Sequence, residues 1–538
     1  MLFVAVLWLL VLPDVCPASP TFIGPITNGI VNISGLVEAS GVAASHNNPG
    51  VLWTENDSGN AAVVYAIDSQ GRSLGTYQLP GNTDNEDIGI GPGPITNISY
   101  LYVTDIGDNN ANRAEIELYQ VPEPAVYFWQ TNTPVVNRAM RGMRTIFLTY
   151  PDGAHNAESE FTDPLTGDWF VLTKASTSRI YTAPKALLDT TTNIVLKFIG
   201  TLAFDVPSGA DISPLGDEIL VRQEDFAQLF ARTNGQAISN AFQVAPISIP
   251  VTGTAGGEPN GEAIGFDFYG SGYFTLSDSA TKQPLRYFAR TSFDSPTPPR
   301  VLVAEGSNWK YLADGSNQGI AWRNAGFADG SWSGGLAQFG YGDGDEQTVV
   351  SFGGNANNKF VTTYFRKGFT ATNVNRIAGL TLKLVVADGA LVYLNGTLLA
   401  GVNLTNDAPY IATATNMPTA LRDTWQSFAV NPRWLNEGTN TIAAEVHLGS
   451  VTATNLSVDL QLVATEAPYI VSLARMTNQA QLFIVGSSNS PTTVESSTNL
   501  DTWTDLGSLI LTNGAGLFVD AKATNADQKY YRANRAIP

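Results

Sequence analysis

Cysteine is nearly missing from this 538-residue chain. Cys16 is the sole example, and a single thiol makes neither an intramolecular disulfide nor a cysteine-ligated zinc or iron–sulfur centre. Histidine is almost as scarce, with 3 in all, so a three-histidine zinc site would need His46, His155 and His447 together from two separate regions. Cations are few: 29 Lys and Arg face 48 Asp and Glu, for a net charge of −19. That balance lacks the basic footprint of a nucleic-acid binder and is repelled by anionic membrane surfaces. Charged residues make up only 14%, which excludes a coiled coil or a disordered acidic tail. No G-x-S-x-G elbow occurs, and the Gly-rich GIGPGP from 89 has no Walker lysine. Long apolar runs are absent too. The one at Leu2 to Leu12 is too short to span a bilayer and fits the core of a signal peptide, with Cys16-Pro17-Ala18 before Ser19 as a small-residue cleavage site. Residues 1–18 are therefore expected to be a signal peptide. The mature chain is expected to be cysteine-free, exported (secreted or extracellular, in a periplasm or at a cell surface), without a transmembrane anchor, and monomeric.

What the chain does have is turn formers, with 50 Gly and 29 Pro, the composition of many short strands. Between about 19 and 300 a degenerate repeat is visible. Its first element reads SGVAAS at 40, EDIGIG at 86, ESEFTD at 158, ADISPLG at 210 and EAIGFD at 262, in steps of 46, 72, 52 and 52 residues. Each is followed by an apolar strand (VLWTEND, LYVTDIGD, WFVLTK, EILVRQED, YFTLSD) and then by a strand carrying an aromatic (VVYAID, IELYQV, RIYTAP, QLFART, LRYFAR). A fourth strand shows in TIFLTYPD, LKFIGTLAF and FQVAPISI, and the long step holds an extra loop around Pro122 to Met143. Units this short cannot each be a sandwich of about 100 residues. Four strands per unit predict an all-β fold opening with a five- or six-bladed β-propeller over 19–300, and GIVNISGLV is available to close the last blade.

Residues 301–466 are all-β as well, with a hairpin predicted at LVYLNGTLL on its Asn395-Gly396 turn. Trp309, Tyr311, Gly319, Trp322, Phe327, Trp332, Gly340, Tyr341 and Gly342, with TTYFRKGF, ADGALVYLNG and GTNTIAAEVH, resemble the galactose-binding-like jelly roll appended to secreted bacterial enzymes, including the sugar-binding domain of certain glycoside hydrolases. The resemblance implies a jelly-roll β-sandwich and a carbohydrate or cell-surface glycan as partner. Aromatic faces hold sugars, so Trp309, Trp322, Trp332, Tyr341 and Trp425 are candidate platforms, against a reading in which they are core. Asp343-Gly344-Asp345-Glu346 reads as a solvated turn, with Ca²⁺ binding as the alternative. Residues 467–538, through VESSTNLDTWTDLGSL and DQKYYRANR, resemble a small C-terminal β-sandwich module of secreted bacterial proteins, a spacer or anchor without chemistry of its own.

In a propeller the first strand of each blade starts at the face to which the second returns. Register alignment then brings Ser40, Glu86, Glu158, Ala210 and Glu262 to one level, and Gly41, Asp87, Ser159, Asp211 and Ala263 to the next. Second-strand ends add Glu55, Asp57, Asp105, Asp108, Lys174, Arg222 and Asp278. So many carboxylates repel unless a cation joins them or some stay protonated, and hard oxygen donors favour Ca²⁺ over zinc. Alternatively the acids cap turns or pair with Lys174 and Arg222. His155, just before Glu158, is a candidate base or substrate ligand, with a structural hydrogen bond as the alternative.

NEDIGIG, YVTDIGDN, DGAHNAESE, GADIS and NGEAI resemble secreted propellers related to phytase-like phosphoesterases. That resemblance implies Glu86, Asp87, Glu158, Asp211 and Glu262 as metal ligands. It also implies Lys174, Arg222 and Arg113 as partners of an anionic small molecule, and metal-activated water as nucleophile. Two functions stay open at this level. One is a modular binding protein with a metal or small-ligand funnel. The other is a calcium-dependent phosphoester hydrolase, with glycoside cleavage by paired carboxylates a further option.

Overall fold

The computed structural model describes residues 20–232, 236–279, 282–290, 299–415, 417–466, 469–476, 479–485, 490–498, 502–511, 515–521, 523 and 529–535. The expected signal peptide and Cys16 lie outside the described residues, as does most of the segment just before residue 300. The described chain is all-β, with only one-turn helical segments.

Five sheets form the N-terminal half, each starting from one of the repeat's first elements. Sheet one holds Ala39–Ala44, Val51–Asn56, Val63–Asp68 and Ser73–Gln78; sheet two holds Asn85–Pro92, Ser99–Asp105, Ile116–Pro122 and Arg144–Thr149. Sheet three is Ala157–Thr162, Trp169–Thr173, Ser178–Ala183 and Lys197–Leu202, and sheet four is Gly209–Ile212, Glu218–Arg222, Ala227–Ala231 and Ile247–Ile249. Sheet five runs Gly261–Phe266, Gly272–Ser277, Gln283–Arg290 and ends on the N-terminal strand Phe22–Val31, which pairs antiparallel with Gln283–Arg290. The closing strand thus begins seven residues before GIVNISGLV. Two strands not read from the sequence, Val135–Ala139 and Asn193–Val195, add parallel to the outer edges of sheets one and two.

The first strands of the five sheets lie side by side in cyclic order, the fifth next to the first. The cores follow the same circle. Trp53 and Tyr77 pack with Leu101 and Val103 between sheets one and two, and Tyr102 and Leu118 with Trp169 and Tyr181 between two and three. Phe161 and Leu172 meet Ile219 and Phe230, Leu229 meets Tyr273 and Phe288, and Phe274 and Leu285 return to Leu52 and Tyr65. Covering on both sides explains why second strands such as Val51–Asn56 are buried at every position, where a half-exposed strand would alternate. The inner strands crowd one another. A Cβ on Gly209 would stand 2.3 Å from the Glu262 carbonyl oxygen, and one on Gly265 2.1 Å from that of Val42, which accounts for glycine in these elements.

Residues 300–466 make two further sheets around a core between them, and a second cluster with Trp322 and Trp332 packs on the other face of one sheet. Asn395 and Gly396 take positive φ (51° and 86°) between Gly389–Leu394 and Thr397–Val402, the two-residue turn expected there. Beyond 469 two three-stranded sheets enclose Leu482, Ile484, Val494 and Leu511. The extra loop at 122–143 docks against the second region: Ala125 N–H donates to Asp423 O (2.7 Å), and Arg141 pairs with Asp343 (2.8 Å) and Asp423 (2.9 Å). Arg138 pairs with Asp345, so two acids of the Asp343–Glu346 turn are engaged by arginines of this loop. At the centre of this contact Asn48 donates to Pro124 O (3.0 Å) and Glu123 Oε1 (3.3 Å) and accepts from Val126 N (2.9 Å) and Trp425 Nε1 (3.1 Å). Asn48→Ala takes the acceptor from Val126 N and Trp425 Nε1, and a loss of about 2–4 kcal/mol is expected in urea unfolding of the full chain.

Candidate functional site

In four of the five inner strands the pairing with the second strand carries one extra residue near its start. Ala157 faces Thr173 and Ser159 faces Leu172, leaving Glu158 as the extra residue. Glu86 between Asn85 and Asp87, and Glu262 between Gly261 and Ala263, stand in the same relation. In sheet one the shift falls between Ala39 and Val42, at Ser40-Gly41, while sheet four, with Ala210, keeps regular register. A bulged residue is released from the pleat and can be aimed away from the ladder. The three glutamates are aimed at one space.

Glu86, Glu158 and Glu262 are nearly buried and feel one another's charge. Burial, then Glu158, Asp57, Glu262 and Asp84, hold the Glu86 carboxyl well above the usual range. Burial followed by Glu158 and Asp278 pushes Glu262 to about 9, and burial followed by Asp57 pushes Asp278 to about 7. Ser40 Oγ donates to Glu262 Oε2 (3.2 Å). Lys174 is ion-paired with Glu158; burial lowers its ammonium pKa, but Glu158, Glu262 and Glu86 together carry it above the ordinary value. Carboxylate oxygens of Asp57, Asp84 and Glu86 all lie within 4.8 Å of one another. Glu86 makes no hydrogen bond or ion pair with any described residue, although it is only 3% exposed. Asp84 was not singled out from the sequence. Its place just ahead of the strand start in GNTDNED was the available signal. Such an oxygen set suits Ca²⁺, which takes 6–8 oxygens.

The remaining acids divide differently. Asp87 Oδ2 accepts from Glu160 N (2.9 Å) and Ala210 N (3.2 Å), and Oδ1 from Ile88 N (2.9 Å). Asp211 accepts from Phe266 N (2.7 Å) and Ile212 N (2.8 Å). Both are fastened to the backbone of neighbouring inner strands, unlike the glutamates at the bulges. Asp105 likewise accepts from Thr83 N (2.7 Å) and Arg113 Nη1 (2.7 Å), which ties down the loop that carries Asp84. Arg222 is fully buried, donating to Ala263 O (2.9 Å) beside Glu258, and cannot reach a substrate. His155 turns away from the acids to Tyr181 OH (2.9 Å) and Asp152 (3.2 Å). Of the three catalytic candidates only Lys174 is in the funnel. In the second region Trp309, Trp322, Trp332 and Tyr341 are 4%, 0%, 5% and 7% exposed. They are core, with no face free for a sugar: Trp309 and Tyr341 lie between the two sheets, while Trp322 and Trp332 pack against Tyr364, Leu391 and Tyr393 on the other face of one of them.

No protein-family profile matches the sequence, and no curated protein matches it significantly. Among solved structures, a β-glycosidase from Bacteroides vulgatus is similar over 41% of this chain and 29% of its own, at 15% identity and a TM-score of 0.22. A family 2 glycosyl hydrolase from Bacteroides cellulosilyticus matches over 44% and 31%, at 11% identity and 0.24. A β-glucuronidase from an uncultured Clostridium sp. matches over 44% of each chain, at 11% identity and 0.22. The chain spans less than half the length of each. At these TM-scores the likeness assigns no activity.

Raised carboxyl values make stability depend on pH. Glu262 (about 9), Glu55 (about 8, chiefly from burial) and Asp211 (about 7, chiefly from burial) bind protons in the folded state that the unfolded chain has released. Their contribution is complete below the ordinary carboxylate range and is lost as pH rises through 7 to 9. In chelator, the melting temperature should fall steadily from about pH 5 to pH 9. A flat profile in scanning calorimetry contradicts the assignment.

Proposed function

We propose that the chain is an exported modular binding protein. Its N-terminal half is a five-bladed β-propeller at about 19–300 whose funnel holds a divalent cation, Ca²⁺ by donor chemistry. The cation serves as the anchor for a small ligand with an anionic group. The observation that carries this reading is the recurrence of one bulge, in register, at Glu86, Glu158 and Glu262, which aims three buried glutamates at the space shared with Asp57, Asp84 and Asp278. The five cores that run in a circle support the propeller.

Bound metal replaces protons as the counter-charge, so the acids ionise on binding. Lys174, on the rim, supplies a cation that meets an incoming anion. The two modules at about 301–466 and 467–538 act as surface-directed accessories. Hydrolysis gains no support from geometry, because His155 and Arg222 do not face the acids. No helix among the described residues is long and apolar enough to cross a membrane.

Calorimetric titration of the full chain with Ca²⁺ tests the proposal. Binding should weaken at least about tenfold in Glu86→Gln and in Glu262→Gln, with the melting temperature of the metal-free protein unchanged or raised. Equal affinity in both variants and wild type removes the funnel as the metal site.

A further inference from the structure

The inner strands have a second set of ends. The glutamates stand at their starts, and a chain of six further residues, from Glu86 to Pro92, covers about 20 Å to the far side. There, each of the five sheets contributes to one open cavity of about 370 Å³. His46 follows the first inner strand, Pro92 ends the second, and Pro164, Pro214 and Phe268 follow the third, fourth and fifth. Asn97 completes the rim on the turn after Pro92.

The chemistry here is the opposite of the funnel's. No Asp, Glu, Lys or Arg lines this cavity. Three prolines give a rigid apolar wall that lacks N–H donors, and Phe268 adds an aromatic ring set edge-on against Tyr269 at 4.7 Å. The polar groups are uncharged. The Asn97 amide is one, and His46 is another, because burial and then the Lys383 charge pull its imidazole down to about 4. A cavity of this size with apolar walls and a few convergent polar groups is the usual form of a small-molecule site. The occupant it fits is a ring with one apolar face and polar groups at its edge.

We propose that this second mouth binds a neutral monosaccharide unit, its C–H face against Phe268 and the proline wall and its hydroxyls toward Asn97 and His46. The site lies apart from the carboxylate funnel and needs no metal. It gives carbohydrate recognition a location after the second region's tryptophans proved to be core.

Saturation-transfer NMR of the full chain with D-glucose, D-galactose, D-mannose and D-xylose tests it. At least one sugar should show transfer to its ring C–H protons, with affinity weakened about tenfold in Phe268→Ala. Asn97 holds φ of 64°, so Asn97→Gly removes the amide without backbone strain and should weaken binding even if the phenylalanine variant fails to fold. Chelator and Glu86→Gln should leave the signal intact. Three results overturn the proposal. The first is no transfer from any of the four sugars. The second is undiminished transfer in Asn97→Gly and in any folded Phe268→Ala. The third is loss of transfer on chelation, which returns sugar binding to the funnel.

Discussion

The first strands of five sheets lie side by side, each with one open edge, and much else in the N-terminal half answers to that constraint. An innermost strand is hydrogen-bonded on one side only, so its other side presents backbone N–H groups that need partners. Carboxylates supply them. Asp87 reaches from the second inner strand to the backbone of the third and fourth, and Asp211 from the fourth to the fifth. Glycine at 41 leaves room for the Asp87 carboxylate, and glycines at 209 and 265 let neighbouring inner strands approach closely. Acids inside the ring are therefore a structural necessity before they are a functional feature.

Neighbouring residues consequently do opposite jobs. Asp87 faces backbone donors and is satisfied; Glu86, one residue earlier and displaced by a bulge, faces other carboxylates and is left without a partner. The bulge decides which acid belongs to the scaffold and which to the site. Sheet four, lacking both the bulge and the glutamate, leaves a gap in the ring of acids. Lys174 of sheet three reaches toward three of the remaining glutamates and offsets only part of their charge. The residual negative charge in a buried space makes a cation the natural complement, and protonation the alternative when none is bound.

Much of this was legible in the sequence because the repeat is written in strands. Apolar second strands and aromatic third strands mark positions covered on both sides, and all five appear where the pattern put them. The level shared by Glu86, Glu158 and Glu262 was legible too, since register alone sets it. What was not legible is direction. Nothing in EDIGIG tells that the glutamate is bulged toward the axis while the aspartate turns to the next strand's backbone. The same loss of direction explains the tryptophans of the second region. Trp309 and Trp322 carry a signal for aromatic content, but burial depends on which sheets and loops close over each face, which local sequence does not encode. His155 fails for a related reason. Adjacency to Glu158 along the chain is undone by a turn that hands the ring to Tyr181.

The central claim is that the unsatisfied acids at the bulges share one cation. An anomalous difference map from a crystal of the full chain grown with a lanthanide in place of calcium tests it most directly. The account predicts a peak within ligand distance of Glu86 and of Asp57 or Asp84, with Glu262 close by. A map with no peak at the funnel, or with its peak on exposed acids elsewhere, would contradict it.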